Sequence, residues 1–201
     1  MRKSKIVILI AMTLCIVGCA KADDTQPKSS DAVTQEVVQD EEQNATQEPS
    51  PESRQPYVLQ FSAVTSTGEE FTSDRLADSK LTMINVWGTF CGPCLNEMPE
   101  LGEIASEYDV AEFQLIGIVS DVKEGADQQK LEGLAELIDE TGANYPHLLL
   151  NGELYGNLVG ASEYVPTTYF FNQNAELLTY VVGSKSKEQW VSIIEQLLEM
   201  L

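Results

Sequence analysis

The stretch Leu81-Thr82-Met83-Ile84-Asn85-Val86-Trp87-Gly88-Thr89-Phe90-Cys91-Gly92-Pro93-Cys94 decides how this chain is read. Its first half, Leu81 to Val86, is apolar and partly β-branched, the pattern of a buried strand. From Leu95 to Tyr108, apolar residues recur at three- to four-residue intervals (Leu95, Met98, Leu101, Ile104 and Ala105), the period of a helix. The two cysteines therefore sit where a strand turns into a helix. Unpaired N–H groups and partial positive charge at a helix N-terminus stabilise a thiolate, the reactive form of cysteine. Two intervening residues in a turn bring the Cα atoms within disulfide range. Pro93 falls in the first helical turn, where its missing N–H costs nothing.

A Cys-X-X-Cys pair can be half of a zinc site, a structural cross-link or a redox dithiol. Zinc needs four ligands, and the only other cysteines are Cys15 and Cys19, the only histidine His147. The strand-to-helix context favours the redox dithiol, and no metal site is expected.

Upstream, Met1 to Lys5 carries three basic residues, and the apolar run Ile6 to Gly18 is thirteen residues long. A membrane-spanning helix needs roughly 20. A basic start, a short apolar run and small residues at its end read as a secretory signal over residues 1–18. The ending Ile16-Val17-Gly18-Cys19 resembles a bacterial lipobox, which implies a lipid on Cys19. With Cys15 removed and Cys19 capped, only Cys91 and Cys94 would remain as thiols, in a compartment where disulfides persist. Residues 19–56 are then the lipidated cysteine and a tether. From Ala20 to Pro56 the tether holds nine acidic and three basic residues with no apolar period. Such a composition cannot offset the entropy of ordering, so a disordered acidic spacer is expected.

Residues 57–201 are long enough for one domain with a real core. They carry 23 acidic and six basic residues, a net −17. That surface excludes nucleic acid, which requires a basic footprint. The expected elements, in order, are a strand over Tyr57–Val64, a turn and a return strand at Glu69–Thr72. A short helical turn capped by Ser73 or Asp74 leads to the strand before the dithiol. The first long helix, a strand over Phe113–Val119, an amphipathic helix over Glu124–Thr141 stopped by Gly142, and a short strand at His147–Leu150 follow. Glu153–Val159 is a helical turn or two. A hairpin joins Thr167–Phe171 to Leu177–Val182, and a helix capped by Ser186 closes the chain. A strand, helix, strand succession implies parallel neighbours with a right-handed crossover.

Four spaced features carry a resemblance: the block Asn85 to Cys94, Glu97-Met98-Pro99 after it, Val165-Pro166-Thr167 before a strand, and Gly183 ahead of the last helix. As a set they resemble the thioredoxin superfamily, specifically extracytoplasmic TlpA/ResA-type thiol-disulfide oxidoreductases. The resemblance implies an α/β, thioredoxin-like fold: a mixed central β-sheet flanked by helices, with an N-terminal β-hairpin extension and a helical insertion. It implies that Cys91 attacks and Cys94 resolves, that Gly92 and Pro93 tune the potential, and that Pro99 kinks the helix. Pro166 would be a cis-proline beside the dithiol, with Val165 offering backbone hydrogen bonds to an incoming chain. Glu97, three residues past Cys94 on the same helix face, would handle the buried thiol's proton. Thioredoxins proper place a buried acid where this chain has Asn85, which leaves Glu97 as the acid candidate. Trp87 is expected to pack beside the site and is grouped with Phe90, an apolar collar, and with Gly92, Pro93 and Val165 as the substrate-binding set. His147 is read as surface or core filler.

No cofactor beyond the dithiol is implied. The resemblance implies partners as well: exported protein disulfides, such as apocytochrome c or a peptide methionine sulfoxide reductase, a CcdA-type membrane electron donor, and the bacterial cell membrane through the lipid anchor. The rivals are weaker. An oxidase would run the same chemistry backwards. Peroxiredoxins show Pro-x-x-x-Thr-x-x-Cys, whereas here Thr89 is two residues before Cys91 and Ile84 stands at the proline position. Copper-delivery proteins of this fold use Cys-x-x-x-Cys, one residue longer. A lipoprotein that only binds other proteins would not need both cysteines.

Overall fold

The computed structural model describes residues 56–201; the expected signal, lipid site at Cys19 and tether lie outside the described residues. The central sheet has five strands in the order β5-β4-β3-β6-β7: β3 (Leu81–Trp87), β4 (Phe113–Lys123), β5 (His147–Leu150), β6 (Thr167–Asn172) and β7 (Leu177–Val182). β3 pairs parallel with β4, and β4 with β5, while β6 runs antiparallel to both β3 and β7. A separate two-stranded hairpin, β1 (Ser62–Val64) with β2 (Glu70–Thr72), precedes it. The helices are α1 (Gly92–Glu107), α2 (Gln128–Thr141), α3 (Gly152–Asn157) and α4 (Lys187–Leu198). This is the mixed, helix-flanked sheet with an N-terminal hairpin that the sequence implies. Helix α2 lies between β4 and β5 in the chain. Among the described residues no helix is long and apolar enough to cross a membrane.

Every residue of β3 is buried, because both faces of the sheet are covered. Alternation divides its side chains between two cores. Leu81, Met83 and Trp87 pack with Leu101, Ile104, Trp190 and Ile194 of α1 and α4; Ile84 and Val86 pack with Phe61, Phe71 and Leu154 from the hairpin side and α3.

Three boundaries differ from the sequence reading. The single strand expected over Tyr57–Val64 is divided: Val58 bridges to Glu176 beside β7, while Ser62–Val64 pairs with β2. β4 runs on to Lys123, and α2 begins at Gln128 with Asp127 accepting from Lys130 N–H. Glu124 is drawn away from the helix because its N–H bonds Leu150 O and its carboxylate accepts from Val64 N–H and Asn151. The turn after β2 is a 3₁₀ helix, Ser73–Asp78, with Thr72 at its cap and no side-chain cap bond. Gly142 does stop α2 in the left-handed conformation, and Ser186 caps α4 through a reciprocal capping box with Gln189.

Candidate active site

β3 delivers the chain to the top of the sheet, and α1 starts at Gly92, so the cysteines occupy the strand-to-helix turn. Cys91 and Cys94 are joined by a disulfide, with Cα atoms 5.3 Å apart. Cys91 is the N-cap of α1: its Sγ accepts from Cys94 N–H at 3.2 Å. Cys94 is fully buried, and Cys91 is 6% exposed. The peptide Val165–Pro166 is cis, and Val165 O lies 3.6 Å from Cys91 Sγ. Gly92, Pro93 and Phe90 are exposed beside the pair. α1 continues unbroken through Pro99.

Trp87 does not fit the substrate-facing set. It is fully buried, and its Nε1–H donates to His147 Nδ1 at 3.1 Å. It supports the dithiol turn from below and presents nothing to an incoming chain. His147 is likewise core: its Nε2 pairs with Ala143 O at 3.0 Å, which makes Nε2 the protonated nitrogen and Nδ1 the acceptor. Burial holds its pKa down at about 4, against a smaller opposing effect of the Ala143 bond.

Glu97 is 4% exposed, on the first turns of α1. Its Oε1 accepts from Asn85 Nδ2 at 3.2 Å; its Oε2 accepts from Lys185 N–H at 3.1 Å and from Trp190 Nε1–H at 3.4 Å. Burial raises its pKa, opposed by those three bonds and by the charge of Lys185. Among the described residues, Asn85 Oδ1 and the Tyr145 hydroxyl are buried without a hydrogen-bond partner. Tyr145 is held strongly protonated by burial and, secondarily, by the charge of Glu97. A carboxyl in such surroundings exchanges its proton closer to neutral pH than a solvated one, and it shares a helix face with Cys94.

Two residues escaped the sequence reading. Asp121, in β4, accepts from Thr89 N–H at 3.0 Å and from the Thr89 hydroxyl, pinning the turn before Cys91. The signal was available in the register: Trp87 pairs with Val119, and two more residues along parallel strands bring Thr89 level with Asp121. Lys185 had no such signal, since a loop residue's contact with Glu97 depends on how α4 docks. Among the described residues, no cluster of three or more potential metal ligands gathers.

Comparison with known proteins places this geometry. The AhpC/TSA family matches residues 56–179. A thiol-disulfide oxidoreductase ResA of Geobacillus thermodenitrificans is 30% identical over 135 residues, covering 63% of this chain and 73% of that protein. The ResA of Bacillus thuringiensis is 24% identical over 110 residues, covering 55% of this chain and 59% of that one. The chain thus spans about three-fifths of the length of that relative. A solved thioredoxin-family thiol:disulfide interchange protein from Chlorobium tepidum superposes with a TM-score of 0.60 at 22% identity, covering 73% of this chain and 99% of that one. The chain belongs to the AhpC/TSA family, among its thioredoxin-fold proteins of the TlpA/ResA type.

Proposed function

We propose that this protein is a thiol-disulfide oxidoreductase that reduces disulfides of exported polypeptides, held at the bacterial membrane by a lipid on Cys19. The observation that carries the reading is the Cys91–Cys94 disulfide at the N-terminus of α1, beside cis-Pro166, with Cys91 6% exposed and Cys94 fully buried. In the reduced form the Cys91 thiolate, favoured by the helix N-terminus, attacks one sulfur of a substrate disulfide. A mixed disulfide forms, and the other substrate sulfur leaves as a thiolate and takes a proton. Cys94 then gives its proton to the Glu97 carboxylate and attacks Cys91 Sγ. The Cys91–Cys94 bond forms, and the second substrate sulfur is released. Two electrons have passed from the dithiol to the substrate, and an external dithiol donor, of the CcdA type in this reading, returns them.

Val165 O beside Cys91 provides the backbone acceptor for the incoming chain, with Phe90, Gly92 and Pro93 as its exposed surroundings. Asp121 holds the turn in place. No separate cofactor takes part. Apocytochrome c and methionine sulfoxide reductases are the substrate classes to test first.

The test is twofold. The Cys94→Ala variant is expected to accumulate a mixed disulfide through Cys91 with an oxidised polypeptide; absence of any adduct refutes the reading. Equilibration of the wild-type pair against thiol buffers is expected to give a potential near or below about −230 mV, whereas about −120 to −180 mV would make the protein an oxidant.

A further inference from the structure

Strand edges are where a sheet can take on another chain, and natural sheets close or blunt them. Among the described residues several strand edges of this protein are closed. At the β5 edge, Ser66 N–H bonds His147 O at 2.7 Å and Thr65 bridges to Leu148. The outward N–H groups of β1 are taken by carboxylates, Ser62 by Glu153 and Val64 by Glu124. At the far edge, the start of β7 is closed by the chain's own Tyr57–Leu59: Leu177 N–H bonds Tyr57 O and Leu59 N–H bonds Ala175 O.

Among the described residues that closure ends with the bond from Leu177 N–H to Tyr57 O. The rest of β7 is left open among the described residues. Which of its backbone groups face outward follows from the pairing with β6. Gly183 N–H bonds Pro166 O, so the hydrogen-bonded pairs are Thr168–Val181 and Phe170–Thr179. Tyr180 and Val182, in the alternate pairs, therefore turn both N–H and C=O away from β6. Both residues are well exposed, at 59% and 49%. The strand Leu177-Leu178-Thr179-Tyr180-Val181-Val182 has no charge, proline or glycine to discourage pairing.

The open end is also the end nearest the dithiol. Val182 pairs with Thr167, the residue after cis-Pro166, and Val165 O faces Cys91 Sγ. From this we infer that the free edge of β7 is a docking strand for the disulfide-bearing polypeptide, which adds antiparallel or parallel to Tyr180–Val182 through main-chain hydrogen bonds while its cysteine engages Cys91. The inference rests on the oxidoreductase reading. Main-chain pairing is indifferent to the partner's side chains and takes any locally extended segment. A second copy of this domain is the poorer occupant, because two surfaces of net −17 repel.

The test is amide hydrogen exchange on the full chain, free and as the Cys94→Ala mixed disulfide with oxidised insulin. In the free protein the Tyr180 and Val182 amides are expected to exchange fast, and Thr179 and Val181 slowly. In the adduct Tyr180 and Val182 become protected. If the adduct forms and these two amides stay unprotected, the edge is not the docking strand. If they are already protected in the free chain, another occupant holds the edge and the inference fails; a dimer in sedimentation would identify that occupant as a second copy. If no adduct forms, the oxidoreductase reading fails with it. Kinetics give a second readout. Tyr180→Pro removes an outward N–H without touching the β6 ladder. It is expected to lower the ratio of insulin turnover to turnover of a small aryl disulfide about tenfold, the scale of one or two lost hydrogen bonds. An unchanged ratio overturns the inference.

Discussion

Glu97 and His147 are both buried, both titratable and both close to the dithiol turn, yet their surroundings are opposite. His147 has a partner on each ring nitrogen, and burial holds it neutral. Glu97 accepts three hydrogen bonds, but two of its neighbours, Asn85 and Tyr145, keep an unpaired polar atom each among the described residues. A fully satisfied group has one stable protonation state; a group whose neighbours are under-satisfied has two states closer in energy. The first serves architecture. The second is the group to which the proposed mechanism assigns the proton of Cys94.

The strongest way to break this contrast is Glu97→Gln. It keeps the shape and removes the proton acceptor, so resolution of the mixed disulfide at neutral pH should slow about a thousandfold, read as release of reduced insulin in stopped flow. The same change should leave the fold intact and flatten part of its pH dependence. A carboxyl whose folded pKa is raised binds more protons in the native than in the unfolded state, so its effect on stability is most favourable at low pH and declines as pH rises from the ordinary carboxylate range through the raised value. Urea unfolding of the variant should lack that decline. A wild-type resolution rate would demote Glu97 to a structural role.

His147 should behave with the opposite sign. Its folded pKa of about 4 lies below the ordinary 6.5. Its stabilising effect is therefore full above pH 6.5 and is lost as pH falls toward 4, by about 3 kcal/mol at the limit. Comparing urea midpoints of wild type and His147→Gln across that window isolates the effect. Gly117→Ala probes the same ring sterically, since an added Cβ would sit 2.3 Å from His147 Nδ1. In a packed core a loss of about 2 kcal/mol in unfolding free energy is expected, with the pH dependence of thiol exchange unchanged in shape.

The smallest effect belongs to Lys185→Gln. Its backbone N–H still reaches Glu97, but the charge that lowers the carboxyl's pKa is gone. The Glu97 limb of the pH–rate profile should move upward. Lys187→Gln makes the same change in net charge, but its ammonium pairs with Glu103 and Glu107, so it should leave the limb in place.

Much of the architecture was legible because its signals are local. The apolar run of β3, the helical period after Cys94, Gly142 as a stop and Ser186 as a cap each depend on a few adjacent residues. The dithiol was legible for the same reason. What escaped depends on long-range placement. Glu124 reads as a helix start until Val64, Leu150 and Asn151 are beside it. Trp87 stands next to the site in sequence, but strand alternation turns it into the core toward His147. Tyr57–Leu59 looks like one strand with Ser62–Val64, yet its partners are 175–177, on the opposite edge of the sheet. Lys185 meets Glu97 only when α4 has packed on α1.

One detail of the dithiol ties reactivity to folding. Cys91 Sγ accepts the Cys94 N–H as the N-cap of α1, the place usually held by the oxygen of Ser, Thr, Asp or Asn. The cap is made here by a disulfide sulfur, which carries no charge, so the first turn of α1 is already fastened when the pair is oxidised. In the proposed reaction the same atom, as a thiolate, would be a stronger acceptor for that N–H. The helix that carries Cys94 and Glu97 thus keeps its fastening in both redox states, and reduction tightens it.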